Sequence, residues 1–308
     1  MTGAHRLAGR LRFGTRPRRN HRLAAPMTAS IPGGEDPELD TLAALLRDRR
    51  LLVLTGAGAS TDCGIPDYRG ADGAWKRRQP VHYQTFVDNI GARRRYWARS
   101  LIGWPRIAGA TPGPAHHALA RLEHAGRLHC LITQNVDGLH GRAGSRALID
   151  LHGCLDRLEC LDCERWLNRH RFQEDLLRLN PGWQDLGVEF APDGDADLED
   201  LDFTAFEVPD CPDCGGMLKP AVTFFGENVP RPRVAEAFAR LEEAEALLVI
   251  GSSLMVLSGY RFVRAAHAAG KPVAAINLGR TRGDAEFVLK LERPCGEALA
   301  ELVRRLLV

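Results

Sequence analysis

LLVLTGAGAS, residues 51–60, decides how this chain is read. Leu51 to Thr55 is a short, continuous apolar run that stops at Gly56. A strand buried on both faces, as in a parallel sheet, reads this way. Similar runs occur at 128–133, 147–151, 246–250, 272–277 and 285–289. Between several of them, apolar residues at helical spacing predict helices over Pro114–His124, Val234–Ala244, Tyr260–Ala269 and Gly296–Leu307. An opening helix is expected from Leu39 to Leu46, after the acidic start Glu35-Asp36-Pro37-Glu38. Strands alternating with helices predict an α/β fold with a doubly wound, Rossmann-like parallel sheet.

Two stretches break the alternation. Residues 66–112 are rich in arginine and aromatics and predict a helical insertion or lid. Residues 154–218 carry paired cysteines and the acidic run 193–202, and predict a small module interrupting the sheet. The expected organisation is therefore a basic N-terminal arm over 1–36, a nucleotide-binding domain from 37–153 and 219–308, and a metal-binding module over 154–218.

The chain has 308 residues, 44% hydrophobic and 26% charged, and no apolar run approaches the roughly 20 residues of a membrane span. Its net charge is +2, but residues 1–26 hold seven arginines and no acid. Without them the body carries −5, which argues against general nucleic-acid binding. The arm has an organelle-transit composition, yet arginine outnumbers lysine throughout, so a bacterial-type cytoplasmic protein is expected, with a mitochondrial matrix location as the alternative. Met27 offers an alternative start, and removing residues 1–26 is expected to leave activity unchanged.

In the turn after the first strand, Gly56, Ala57, Gly58 and Ser60 are placed to approach a phosphate, with a helix N-terminus expected to follow. Thr61 stands where the dehydrogenase fingerprint has its third glycine. Ile65-Pro66-Asp67-Tyr68-Arg69 comes next, and Arg69 can pair with phosphate. The run 128–132 ends in Thr133-Gln134-Asn135-Val136-Asp137, whose amides and carboxylate can recognise a carboxamide and sugar hydroxyls. The next run delivers His152, followed by Gly153, at a strand end. A histidine so placed suits a general base near neutral pH. His116, His117 and His140 read as structural or surface residues.

Cys160-x-x-Cys163 and Cys211-x-x-Cys214 form two matched knuckles. Four thiolates fill a tetrahedral site, so the expected metal is one structural zinc ion.

Taken together, GAGAS (56–60), GIPDYRG (64–70), TQNVDGLH (133–140), LHG (151–153), the two cysteine pairs, KPAVTFFGENVP (219–230), GSSLMV (251–256), INLG (276–279) and Cys295-Gly296 closely resemble the sirtuins, in the family's order. The SGYRF tail (258–262) resembles the class II branch. The resemblance implies NAD-dependent removal of acyl groups from protein lysine. NAD would contact Gly56, Ala57, Gly58, Ser60, Thr61, Asp67, Tyr68 and Arg69, with Ile65, Asn135, Val136 and Asp137 around nicotinamide and Gln134 on ribose hydroxyls. Gly251, Ser252, Ser253, Asn277, Leu278, Gly279 and Cys295 would surround the adenosine half. Acyl-lysine would lie near Val222, Phe224 and Phe225, its backbone between Gly226, Glu227, Asn228, Val229 and the segment 256–258. The acyl oxygen would attack the sugar as nicotinamide leaves, and His152 would then draw a proton from a ribose hydroxyl. Ala74 stands where class III members carry a tyrosine, which disfavours succinyl and malonyl groups; Arg77 and Arg78 lie nearby. The expected partners are acylated lysines, with no nucleic acid or membrane, and the chain is expected as a monomer or weak oligomer. Two alternatives remain open at this point: an NAD-dependent protein mono-ADP-ribosyltransferase and a non-catalytic NAD sensor.

Overall fold

A computed structural model describes residues 36–76, 80–186 and 201–308. The expectations for the basic arm, for Arg77 and Arg78 and for most of the acidic run 193–202 lie outside the described residues.

In chain order the elements are α1 (Pro37–Leu46), β1 (Leu51–Thr55), α2 (Tyr83–Asp88), α3 (Ile90–Gly109), α4 (Pro114–His124), β2 (Leu128–Thr133), α5 (Leu139–Arg142), β3 (Leu148–Asp150), β4 (Gly153–Cys160), β5 (Trp166–Asn168), α6 (Arg169–Leu179), β6 (Leu218–Val222), α7 (Arg231–Glu243), β7 (Ala246–Ile250), α8 (Leu257–Ala268), β8 (Val273–Ile276), β9 (Leu289–Leu291) and α9 (Cys295–Leu306). Six strands form one sheet in the order β3-β2-β1-β7-β8-β9, every pair parallel. This is the doubly wound order, and its switch point lies between β1 and β7.

The alternation along β1 sets the layers. Leu51 and Val53 face α1, α4 and α9, joining Leu42, Leu119 and Leu302 in one core. Leu52 and Leu54 face the other side, with Leu241, Phe262 and Val263 of α7 and α8. Both faces of β1 are thus fully buried, which is why its sequence shows no polar alternation. Asp36 caps α1 by accepting from the Leu39 N–H, and Arg293 ties the same carboxylate to the turn before α9.

The second sheet is antiparallel, β5-β4-β6. β4 enters it directly from the end of β3, across His152. Gly153 makes that junction possible: its φ is +83°, and a Cβ there would lie 2.0 Å from the Ala221 carbonyl oxygen. Helices α2 and α3 pack against this sheet through Phe86, Tyr96, Trp97 and Leu101, which meet Phe172, Leu158 and Phe224.

Three elements start three or more residues from where they are expected. The last strand is Leu289–Leu291, not 285–289, because Thr281 and Asp284 close a side-chain turn: Thr281 Oγ1 donates to Asp284 and accepts from the Gly283 N–H. Helix α7 starts three residues early, since Pro232 sits in its first turn, where no N–H is needed. Helix α8 starts at Leu257 and takes Ser258 and Gly259 into its first turn for reasons that belong to the site.

Candidate active site

The loops leaving β1, β2, β3, β6, β7 and β8 enclose one cavity of about 630 Å³. Its floor is the carboxyl edge of the parallel sheet, where such folds bind nucleotides. Every expected cofactor residue except Gly279 lines it, as do all seven expected substrate residues and His152. Gly279 instead packs on the neighbouring loop, where a Cβ would meet the Ala71 carbonyl oxygen at 2.5 Å.

The glycine turn has a different local form from the one expected. Two short 3₁₀ turns, Ala57–Ala59 and Thr61–Cys63, follow β1 in place of an α-helix. The glycines have a packing reason of their own. A Cβ on Gly56 would lie 2.8 Å from the Gly251 carbonyl oxygen, and one on Gly58 2.8 Å from Gly251 Cα. The Gly58 N–H donates to that same carbonyl at 2.8 Å. The loops after β1 and β7 therefore touch backbone to backbone, and together form one wall.

A polar network joins the β2 loop to the β1 loop. Ser60 Oγ donates to Asp137 Oδ2 at 2.8 Å and accepts from Asn135 Nδ2 at 3.0 Å. Asn135 Nδ2 also reaches the Gly56 carbonyl, and Asp137 Oδ1 accepts from the Leu139 N–H. Behind Ser60 lies His116, fully buried, whose Nδ1 accepts from the Gly113 N–H at 3.2 Å and whose Nε2 lies 3.4 Å from Ser60 Oγ. His140 is also buried; its Nε2 lies 3.0 Å from Thr55 Oγ1, and its ring centre lies 4.5 Å from that of His116. Both histidines are structural, and burial lowers their pKa, that of His140 to about 3.

His152 Nδ1 lies 2.9 Å from the backbone carbonyl of Gln134. A carbonyl only accepts, so Nδ1 carries the proton and Nε2 is the basic nitrogen. Burial pushes its pKa down to about 4, and the ring is neutral at physiological pH. The Gln134 side chain donates to Ser252 Oγ at 2.7 Å, tying the β2 loop to the β7 loop.

Arg69 donates to the Gly73 carbonyl at 2.8 Å, and its guanidinium lies 4.0 Å from the centre of the Trp75 ring. Asp67 pairs with Lys76. Asn277 is used by its own loop, donating to the Leu278 and Gly279 carbonyls. Burial raises the Cys295 thiol to about 12, which leaves it uncharged.

The segment expected to hold substrate is a tight turn. The Glu227 carboxylate accepts from the Phe224 N–H at 2.8 Å, and the Glu227 N–H returns to the Phe224 carbonyl. Lys219, 1% exposed, anchors the turn from below through Glu227 at 3.3 Å, Glu159 at 2.8 Å and the Val222 carbonyl. Sequence reasoning did not single out Lys219; a lysine inside the apolar context of KPAV was the available signal. It also missed Tyr96, Ile107 and Leu155, which form an apolar end of the cavity, and Arg261 and Arg280 on its rim. Tyr96 and Ile107 lie on the insertion helix α3, which only folding brings to the site, so no local spacing announced them.

Away from the cavity, the sulfurs of Cys160, Cys163, Cys211 and Cys214 all lie within 4.8 Å of one another. Cys160 and Cys214 are 3.5 Å apart, Cys163 and Cys211 3.8 Å. Thiolates around zinc at 2.3 Å stand about 3.8 Å apart, so the donor set and spacing fit one structural zinc ion.

The fold and site define a class: a doubly wound nucleotide-binding domain with a four-thiolate module and a histidine between the two sheets. Residues 56–258 match the family model described as Sir2 family. The chain belongs to the Sir2 family. It is 60% identical over 256 residues to the NAD-dependent protein deacetylase of Xanthomonas campestris pv. campestris (strain 8004), covering 83% of this chain and 87% of that one. It is 57% identical over 254 residues to that of Bordetella bronchiseptica, covering 82% and 93%. Among solved structures it is similar to one described as "Sir2-p53 peptide-NAD+", at 30% identity and a TM-score of 0.69, covering 85% of this chain and 95% of that one.

Proposed function

We propose that this chain is an NAD-dependent protein lysine deacylase that releases nicotinamide and O-acyl-ADP-ribose. The observation that carries the reading is His152: its Nδ1 is fixed by Gln134, and it shares one cavity with Asn135, Asp137 and the turn at Phe224–Glu227. NAD supplies the sugar and the leaving nicotinamide. The protein's own groups do the rest. The joined loops at Gly56 and Gly251 form the wall for the dinucleotide, and the Asn135–Ser60–Asp137 network presents fixed polar atoms to the carboxamide. The apolar residues Val222, Phe224 and Leu155 exclude water from the acyl group. His152 Nε2 takes a proton from a ribose hydroxyl, and positioning of an amide oxygen, a poor nucleophile, supplies much of the acceleration.

The four cysteines would hold zinc away from the reacting atoms, where it stabilises the module and takes no part in the chemistry. Ala74 is exposed and does not line the cavity, so the choice of acyl group is set by other residues.

The test is to incubate the protein with NAD and peptides bearing acetyl, long-chain, lipoyl or succinyl lysine, and to measure nicotinamide release with mass spectrometry of the products. Acyl-ADP-ribose is expected. Modified protein without it would mean ADP-ribosyl transfer, and NAD binding without nicotinamide release would mean a sensor. His152→Ala is expected to abolish turnover and keep NAD binding; substantial deacylation by that variant would remove His152 from its role.

A further inference from the structure

His152 Nε2, the nitrogen that must accept the proton, is not free: Ser258 Oγ lies 2.7 Å from it. Since Nδ1 is the protonated nitrogen, Ser258 is the donor of this bond. Ser258 is 9% exposed and lies in the first turn of α8. Its neighbour Gly259 lets the helix come this close, because a Cβ there would lie 2.3 Å from Gln134 Oε1. The first turn of α8 therefore touches both sides of the His152 hydrogen bond: Ser258 holds the ring's basic nitrogen, and Gly259 packs on the residue whose carbonyl holds the other.

Building on the deacylase reading, we propose that Ser258 is a positioning residue for His152. Its hydroxyl satisfies Nε2 and aims the ring until a ribose hydroxyl takes its place. A hydroxyl both donates and accepts, so after Nε2 gains the proton from the sugar, Ser258 Oγ can rotate and accept a hydrogen bond from it. No bond to Ser258 is made or broken in the reaction; only its hydroxyl rotor turns.

The test separates the two halves of turnover. Exchange of labelled nicotinamide into NAD needs cleavage of the sugar–nicotinamide bond but not the base, whereas product release needs His152. In Ser258→Ala, deacylation kcat is expected to fall about tenfold, the size of one hydrogen bond to an ionised group. Exchange and the KM for NAD stay within about twofold on the same basis, so their ratio to deacylation rises. Ser258→Thr, which keeps the hydroxyl, restores the wild-type ratio. Parallel loss of exchange and deacylation, no change in either, or faster deacylation would each overturn the proposal. If the wild-type protein releases no nicotinamide, the functional reading fails instead. The bond is then read directly from the ¹⁵N shift of His152 Nε2, which should move in Ser258→Ala; an unchanged shift overturns the proposed contact.

Discussion

Gly56 and Gly251 meet with no room for a methyl group between them, although they stand at the ends of different strands. This contact joins the loops after β1 and β7 at the switch point of the sheet. Gly251 has a φ of +59°, so alanine there is strained as well as crowded. Gly251→Ala is expected to lower stability by about 2–3 kcal/mol and to weaken NAD binding, measured by urea unfolding and calorimetric titration. A variant as stable as the wild type would show that the loops can part without cost.

Ser60 links Asp137 to Asn135, and its removal leaves a carboxylate without one of its donors. Ser60→Ala is expected to cost about 1–2 kcal/mol in folding stability and at least tenfold in kcat/KM for NAD. Steady-state kinetics alongside thermal melts would check both.

The buried imidazoles of His152, His140 and His116 all have pKa values below the ordinary 6.5, the first two at about 4 and about 3. Between those values and about 6.5 the unfolded chain binds protons that the native chain does not. Their contribution is complete above pH 6.5 and is lost as the pH falls. Asp150, raised to about 6 by burial, opposes them. Three groups against one predict a net drop in the urea midpoint from pH 7 to pH 4.5. A flat profile would mean that the histidines are not buried neutral.

Lys219→Met keeps the volume and removes the charge beneath the turn proposed to hold substrate. Glu227 and Glu159 lose their shared partner. The expected cost is about 1–3 kcal/mol, with a raised KM for acyl-peptide and little change for NAD. Equal effects on both KM values would show that Lys219 supports the fold at large and not the turn.

Purified protein is expected to hold about one zinc per chain, and Cys163→Ala to lose it. Metal analysis and proteolysis of the 154–218 segment would report both.

Much of this architecture was legible from residue order. Strands such as LLVLT and ALLVI are buried on both faces, so their hydrophobicity is continuous and plain. The metal module was legible because its ligands come as two local pairs. The position of His152 was legible because a strand end places it. What stayed hidden depends on contacts between distant segments. Ser258 looked like part of a peptide-binding edge, and only the approach of α8 to the loop after β3 turns its hydroxyl onto the imidazole. Gly56 and Gly58 were read as room for phosphate, whereas much of that space is taken by Gly251. The final strand was misplaced because a turn closed by Thr281 and Asp284 is invisible to a hydrophobic count.

His152 is the link between two sheets as well as the proposed base. Its ring is held by Gln134 on the parallel side, while its carbonyl accepts from the Thr223 N–H on the antiparallel side. A tilt of the cysteine module would therefore be felt by the proposed base. Injury to the metal ligands would thus act as a lever on the imidazole, silencing chemistry without touching a single atom of the nucleotide wall.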